Sequence, residues 1–125
     1  MKYIVTGGAG FIGSNLVDKL IENKHEVHVI DNFSTGKKEN CNPNAVYHYH
    51  DVADIAQSKY FTEIMKGADA LFHCAALARV QPSIIDPVKY EVNNTIGVKS
   101  VSNSAWQVVA VLTVLFWRFG RSVFN

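Results

Sequence analysis

Several features are scarce in this sequence, and each shortage narrows what the protein can be. There are two cysteines, Cys41 and Cys74, which lie far apart and in no metal-ligand spacing. This usage fits a reduced, cytoplasmic setting, and no metal site is predicted. The formal net charge is only +1, which argues against a nucleic-acid partner. The chain starts on an apolar strand with no charged leader, so nothing indicates secretion.

What is present indicates one globular domain. The 125 residues are 48% hydrophobic, which is enough for a real core, although the chain is small for an enzyme of the architecture described below.

The stretch KYIVTGGAGFIGSN, at residues 2–15, predicts a strand, a glycine-rich turn and a helix. The apolar run YIV is typical of a buried strand, and from Phe11 onwards apolar residues recur three to five positions apart, as on one face of a helix. Glycines at positions 8, 10 and 13 have the spacing of a dinucleotide-binding turn, and those at 7, 10 and 13 have that of a close variant.

Each glycine has a physical interpretation. An early glycine lets the chain turn sharply off the strand, Gly10 lets a ligand approach bare backbone, and Gly13 lets helix and strand pack closely. The unpaired N–H groups of the first helical turn then form a site for a pyrophosphate. The alternative is that the glycines merely make a tight turn.

A carboxylate follows at the expected place. The second apolar strand, Val27 to Ile30, ends in Asp31, about 20 residues past the turn, where an acid holds a ribose 2′-hydroxyl. An acid there disfavours a 2′-phosphate, so the sequence favours NAD over NADP, although Lys37 and Lys38 lie close by.

The remaining chain predicts further strands and helices in alternation. We expect strands at Ala45–His50 and Ala68–Ala75, a helix at residues 55–66 capped by Asp54 and stopped by Gly67, a loop through Arg79 and Pro82, and a helix from Asp86-Pro87 to about Ser102.

Asp51 or Val52 is expected to contact a base, with helix capping as the alternative. His73 is interpreted as a satisfied buried histidine rather than a catalytic one. His48 and His50 lie on the same face of a strand. We interpret this as a solvated strand face, with a metal-binding pair as the alternative.

Taken in order, these pieces resemble the extended short-chain dehydrogenase/reductases, specifically the NAD-dependent nucleotide-sugar epimerases and dehydratases. The matching segments are TGGAGFIGSN (6–15), DNFSTG (31–36), Asp51-Val52, HCAA (73–76), SIIDP (83–87) and Asn93-Asn94 with Gly97. Within the family they look most like UDP-glucose and UDP-N-acetylglucosamine 4-epimerases, which bind UDP-sugars and are often homodimers.

The resemblance implies cofactor-binding roles at matching positions, and no catalytic residue. The pyrophosphate would lie against Gly7, Gly10, Phe11, Ile12 and Gly13. The adenosine ribose would be held by Asp31, Asn32, Ser34, Thr35 and Gly36, and adenine would be flanked by Asp51 and Val52. The nicotinamide side would be lined by Cys74, Ala75 and Ala76, and by Ala78 as a further candidate, with a polar contact from Asn93 or Asn94.

The family's base is a tyrosine with a lysine four residues later, and no such pair occurs here. We therefore expect this chain alone to be inactive, although the family implies an NAD-dependent UDP-sugar 4-epimerase. The alternatives are a non-catalytic NAD-sensing or interaction module, or a dehydratase or reductase of the same family.

The tail departs from the family pattern at about residue 101. No acidic residue follows Glu91 and no lysine follows Lys99. One interpretation is a fifth buried strand from Val108 to Phe116, favoured by its β-branched residues. The apolar run to Trp117 is well short of the roughly 20 residues that span a bilayer, although tryptophan and arginine at its end would suit an interfacial anchor. We favour a third reading, in which the coding frame is lost near residues 101–103.

The sequence thus predicts an α/β fold, a doubly wound (Rossmann) parallel sheet that is truncated to four or five strands. Residues 1–101 would form an incomplete NAD-binding domain, and residues 102–125 a divergent apolar tail.

Overall fold

The computed structural model describes residues 1–57, 59–77, 80–105 and 111–113. The strands are β1 (Lys2–Thr6), β2 (Glu26–Asp31), β3 (Val46–Tyr49), β4 (Ala70–His73) and β5 (Val111–Thr113). The α-helices are α1 (Phe11–Glu22), α2 (Lys59–Met65), α3 (Val80–Ile85), α4 (Pro87–Glu91) and α5 (Gly97–Ala105), with 3₁₀ turns at Lys38–Asn40 and Val52–Gln57 and a π-turn at Val92–Ile96.

The five strands form one parallel sheet in the order β3-β2-β1-β4-β5. The chain moves outward from β1 to β3 on one side and then crosses to β4 and β5 on the other. The direction of winding therefore reverses between β1 and β4, which is the position where open α/β sheets bind ligands. The predicted doubly wound α/β class is confirmed.

Side chains alternate between the two faces of the sheet along each strand, and each face packs against helices. Val5 and Val29 pack against α1 on one face, with Val17 between them. Ile4 and Ile30 point to the other face, where a second core is completed by α2 and α5. Its buried members are Ile4, Ile30, Val52, Phe61, Ile64, Met65, Ala68, Leu71 and Val101.

The predicted helix at residues 55–66 is instead a 3₁₀ turn followed by the shorter α2. The predicted cap, Asp54, lies inside the 3₁₀ turn and is exposed, whereas Asp51 Oδ1 accepts a hydrogen bond from the Ala53 amide at 2.9 Å. Asp51 therefore caps this segment, because its side chain is the one that reaches the free amides at its start. Gly67 ends α2 with a φ of +73°, as predicted.

The predicted loop around Pro82 is partly helical. Residues 80–85 form α3, and Pro82 lies in its first turn, where a missing amide hydrogen costs nothing. The next helix begins as predicted, because Asp86 accepts from the Lys89 amide at 3.1 Å and Pro87 occupies the first helical position.

A chain of side-chain hydrogen bonds crosses β2 and β3 and reaches α2. Glu26 Oε1 bonds His28 Nε2 at 2.8 Å, His28 Nδ1 bonds His48 Nε2 at 3.0 Å, and His48 Nδ1 bonds the Tyr60 hydroxyl at 2.9 Å. The hydrogen bond from His28 holds the pKa of Glu26 below its usual value. The pKa of His48 is lowered, mainly by burial of its ring. His48 is therefore partly covered by α2, so the strand face interpreted as solvated is solvated only in part.

Part of the tail contributes to the sheet. Val111–Thr113 pairs in parallel with Ala70–Phe72, as the fifth-strand alternative predicts, while the rest of the predicted strand at Val108–Phe116 lies outside the described residues. Among the residues that the structure describes, no helix combines the length and apolar character required to cross a membrane.

Candidate functional site

An open cleft lies at the carboxyl ends of β1, β2, β3 and β4. It is the place where the winding reverses, and it collects most of the residues predicted from the sequence. The predicted residues that line it are Gly7, Gly10, Asp31, Asn32, Ser34, Thr35, Gly36, Val52, Cys74, Ala75, Ala76 and Asn93.

The glycine-rich turn forms the floor of the cleft. Gly7 has a φ of +71°, and a Cβ there would meet the Ala75 backbone nitrogen at 2.6 Å, so only glycine allows β1 to turn against the end of β4. A Cβ on Gly13 would collide with the Gly7 carbonyl oxygen, which is how α1 packs tightly onto the turn. A Cβ on Gly10 would meet nothing closer than that same oxygen at 3.3 Å, so its bare backbone faces the cleft.

The first amides of α1 are available to a ligand. The first helical bond runs from the Ser14 amide to the Gly10 carbonyl at 3.0 Å. Among the described residues, the amides of Phe11, Ile12 and Gly13 have no protein acceptor, as expected for a helix start. These donors lie at the positive end of the helix dipole and suit an anion. The Phe11 and Ile12 side chains are exposed and do not line the cleft, so the groups they offer to a ligand here are their backbone amides.

Asp31 faces the turn. Its side chain is 8% exposed, and Oδ2 accepts from the Ala9 amide at 2.9 Å while Oδ1 accepts from the Phe33 amide at 2.8 Å. Phe33 adopts a positive φ of 54°, an uncommon conformation for a large side chain. A carboxylate has about four acceptor positions, so Asp31 retains capacity for hydroxyl groups in the cleft.

The loop after β2 closes one side of the cleft. The Ser34 amide donates to Asn32 Oδ1 at 3.0 Å, and the Lys37 amide donates to the Ala9 carbonyl at 3.1 Å. These bonds fold the DNFSTG segment back over the glycine-rich turn. Asn32 Nδ2 also donates to Asp51 Oδ2 at 3.0 Å, so Asp51 holds the neighbouring strand end rather than lining the cleft.

The end of β4 is joined to β1 through two buried side chains. His73 Nδ1 lies 2.6 Å from Thr6 Oγ1, and Thr6 Oγ1 accepts from the Ala75 amide at 3.4 Å. His73 Nε2 is buried without a partner among the described residues, so the prediction of a satisfied histidine holds for one ring nitrogen and not for the other. Burial lowers the pKa of His73 to about 4 and raises the pKa of the Cys74 thiol, so both groups are neutral at pH 7.

The two asparagines of the following helix have different surroundings. Asn93 lines the cleft and donates from Nδ2 to the Lys89 carbonyl at 2.9 Å. Asn94 clamps the loop after β4 instead, accepting from the Leu77 amide and donating to the Leu77 carbonyl, each at 2.8 Å. Both lie in the π-turn, a local widening that is frequent at functional sites.

Ile30, His50 and Leu77 also line the cleft but were not predicted. Ile30 and Leu77 reach it through the geometry of strand ends, for which the sequence has no signal. His50 directly precedes the predicted pair Asp51-Val52, and its position at a strand end was the available clue. The predicted residues outside the cleft lining are Phe11, Ile12, Gly13, Asp51 and Asn94. Ala78 lies outside the described residues.

This arrangement fits a dinucleotide. Free amides and a bare glycine can receive a pyrophosphate, while the Asp31 carboxylate beside them can accept hydrogen bonds from a ribose. Small side chains at the end of β4 leave room for a flat ring. The uncommitted amide donors and the adjacent carboxylate thus lie at the same edge of the sheet.

Comparison with known proteins gives consistent matches. Residues 3–116 match the family described as the NAD dependent epimerase/dehydratase family. The chain is 40% identical over 98 residues to the UDP-glucose 4-epimerase of Streptococcus mutans, covering 78% of this chain and 29% of that protein. It is 39% identical over 115 residues to UDP-glucuronic acid decarboxylase 1 of Arabidopsis thaliana, covering 88% of this chain and 25% of that protein.

A solved structure agrees in fold. The crystal structure of the Thermus thermophilus UDP-glucose 4-epimerase in complex with NAD aligns with a TM-score of 0.76 at 35% identity, covering 86% of this chain and 34% of that one. The chain therefore spans about a quarter to a third of the length of these relatives. The family match also continues past residue 101, where we expected the tail to diverge.

Proposed function

Because this chain belongs to the NAD-dependent epimerase/dehydratase family, we propose that it is the NAD-binding portion of a nucleotide-sugar 4-epimerase-like enzyme. NAD is the dinucleotide of this family, as the sequence favoured. The substrate of the whole enzyme is proposed to be a UDP-sugar, the class of molecule named for the relatives. A cytoplasmic location, expected from the two cysteines, is part of the same proposal, and both thiols are free.

One observation carries the proposal. The Asp31 carboxylate contacts the glycine-rich turn at the Ala9 amide, next to the uncommitted amides of residues 11–13. This places an acceptor for ribose hydroxyls beside donors for a pyrophosphate, an arrangement that suits an adenosine diphosphate group.

We assign the residues of this chain to binding and orientation. The amides at the start of α1 would hold the pyrophosphate, Asp31 the ribose hydroxyls, and the small residues Ala75 and Ala76 would let the nicotinamide lie flat. When bound, NAD⁺ would supply a reversible hydride acceptor for sugar C4. The base for the C4 hydroxyl is absent from this sequence, so the chain alone is proposed to be inactive.

A non-catalytic NAD-sensing module is the second candidate, favoured by the missing tyrosine and lysine pair. It requires a stable, monodisperse protein that binds NAD and a partner. A decarboxylase, dehydratase or reductase of the family is a nearer alternative, since a decarboxylase is among the relatives at similar identity. Sedimentation analysis with and without NAD separates the first alternative from an aggregated chain.

The proposed boundary at residue 101 and the loss of the coding frame stay predictions. The nucleotide sequence around codons 95–125 tests both. A second frame that encodes a serine-rich strand followed by tyrosine and, four residues on, lysine is expected. An uninterrupted single frame in independent isolates would contradict the frame-loss hypothesis.

Replacing Asp31 by asparagine is expected to weaken NAD binding by roughly tenfold to hundredfold, because a hydrogen bond to a charged group contributes roughly 1.5–3 kcal/mol. The variant should also discriminate less against NADP, because a 2′-phosphate no longer meets a negative charge. Calorimetric titration of NAD and NADP measures both effects.

Asp69→Asn is the matched control, since Asp69 bonds the Lys2 amide at 2.7 Å at the opposite end of the strands. Its affinity for both dinucleotides should be unchanged. The ratio of NAD to NADP affinity separates recognition from a loss of structure, because a merely structural defect weakens both ligands alike. An unchanged ratio in Asp31→Asn would remove Asp31 from the ribose site.

A further inference from the structure

We propose that His50 is a further residue of the cofactor site, whose imidazole ring packs against the purine base. This inference rests on the proposed function and adds to it a residue that the sequence motifs did not indicate. His50 directly follows β3 and lines the cleft at its β3 end, with Val52 beside it.

Topology decides which end of the cleft is the base end. Strand ends follow in the order β3, β2, β1 and β4 across the sheet. The pyrophosphate donors lie after β1 and the ribose acceptor Asp31 at the end of β2, so the base attached to that ribose lies one strand further, at β3. The His50 amide donates to the Asp31 carbonyl at 3.1 Å, which fixes the distance between the ribose and base positions.

The ring of His50 is held by two aromatic neighbours. Its centroid lies 4.8 Å from that of Phe61 at an interplanar angle of 76°, and 5.2 Å from that of Tyr60 at 43°. Phe61 is completely buried in the core, so it is a fixed support. An imidazole packed in this way loses little further freedom when a base stacks on it, which favours binding.

The second support is itself anchored. The Tyr60 hydroxyl bonds His48 Nδ1 at 2.9 Å, and His48 is bonded through His28 to Glu26. These contacts join α2 to β3 and β2. They restrain the half-exposed Tyr60 ring, and through it His50.

The test compares ligands with and without the base. His50→Ala should weaken binding of NAD and of AMP by about tenfold, the effect of losing one base–aromatic contact, and leave binding of nicotinamide mononucleotide unchanged. His50→Phe preserves an aromatic ring against Phe61 and Tyr60 and should keep AMP affinity within about threefold. Chemical-shift titration of the full ¹⁵N-labelled chain measures these weak affinities.

The matched control is His25→Ala, because His25 packs on Tyr3 at the opposite end of the strands, with centroids 5.0 Å apart. It should bind all three ligands as the unmodified chain does. If the unmodified chain binds NAD and AMP, and His50→Ala and His50→Phe bind AMP with equal affinity, His50 does not contact the base. If the unmodified chain binds neither NAD nor AMP, the proposed function itself fails and this inference fails with it.

Discussion

Gly7→Ala is expected to destabilise the folded chain by about 2–5 kcal/mol, whereas Gly67→Ala costs only about 1–2 kcal/mol. Both glycines have nearly the same backbone conformation, with φ of +71° and +73°, so both variants incur the same left-handed strain of roughly 1–2 kcal/mol. A Cβ at Gly67 meets nothing within 4 Å, while one at Gly7 meets the Ala75 nitrogen at 2.6 Å and the Cys74 carbonyl carbon at 2.8 Å. Overpacking against backbone adds roughly 1–3 kcal/mol at Gly7 alone.

Comparing the two variants separates the cost of left-handed backbone strain from the cost of the contact between a Cβ at position 7 and the backbone at the end of β4. Urea unfolding followed by circular dichroism gives both free energies of unfolding, and the difference between them isolates the contact with the end of β4. Gly7→Ala should also lose NAD binding, because the turn must move away from Ala75. Equal destabilisation by the two substitutions would mean that β1 and β4 do not meet as described.

Acid is expected to destabilise this protein through His73. Burial lowers its pKa from 6.5 to about 4 in the folded chain. Between these values the unfolded chain binds a proton at His73 that the folded chain does not, so the free energy of unfolding falls as the pH falls from 6.5 to 4. The loss amounts to about 3 kcal/mol at 1.36 kcal/mol for each pKa unit. At pH 7 and above His73 is neutral in both the folded and the unfolded chain, so this penalty is absent.

Chemical denaturation at a series of pH values tests this, with His73→Leu as the variant. The variant loses the bond to Thr6 at every pH, but its stability should fall less between pH 6.5 and 4 than that of the unmodified chain. His25→Leu is the control and should keep the full pH dependence. Parallel curves for His73→Leu and the unmodified chain would show that His73 is accessible to protons in the folded state.

The fold could be predicted because its signals are local. Apolar runs and helical periodicity identified β1, α1 and β2, and the spacing from the glycine-rich turn to Asp31 indicated how they assemble. The helix α3 was missed because Pro82 is typical of a loop, although a proline in the first helical turn is tolerated. Asp54 was chosen as a cap by residue type, while Asp51 is the residue whose carboxylate reaches a free amide.

The cleft was predicted less completely, because its walls depend on tertiary packing. His50 reaches it because α2 brings Phe61 and Tyr60 beneath it, a contact between segments that sequence patterns do not connect. Asn93 and Asn94 were given one expected contact between them, yet the π-turn directs Asn93 to the cleft and Asn94 to the Leu77 backbone. Neither the local widening of a helix nor its effect on side-chain direction has a periodic signature.

The most direct test of NAD binding in this cleft is titration of the ¹⁵N-labelled full chain with NAD, followed by amide chemical shifts. We expect saturable shifts that are largest at the amides of residues 10–13 and in the 31–36 loop, because these groups would hold the pyrophosphate and the adenosine ribose. Saturable shifts confined to other parts of the chain, or a folded sample whose amides at residues 10–13 do not respond to NAD, would contradict it.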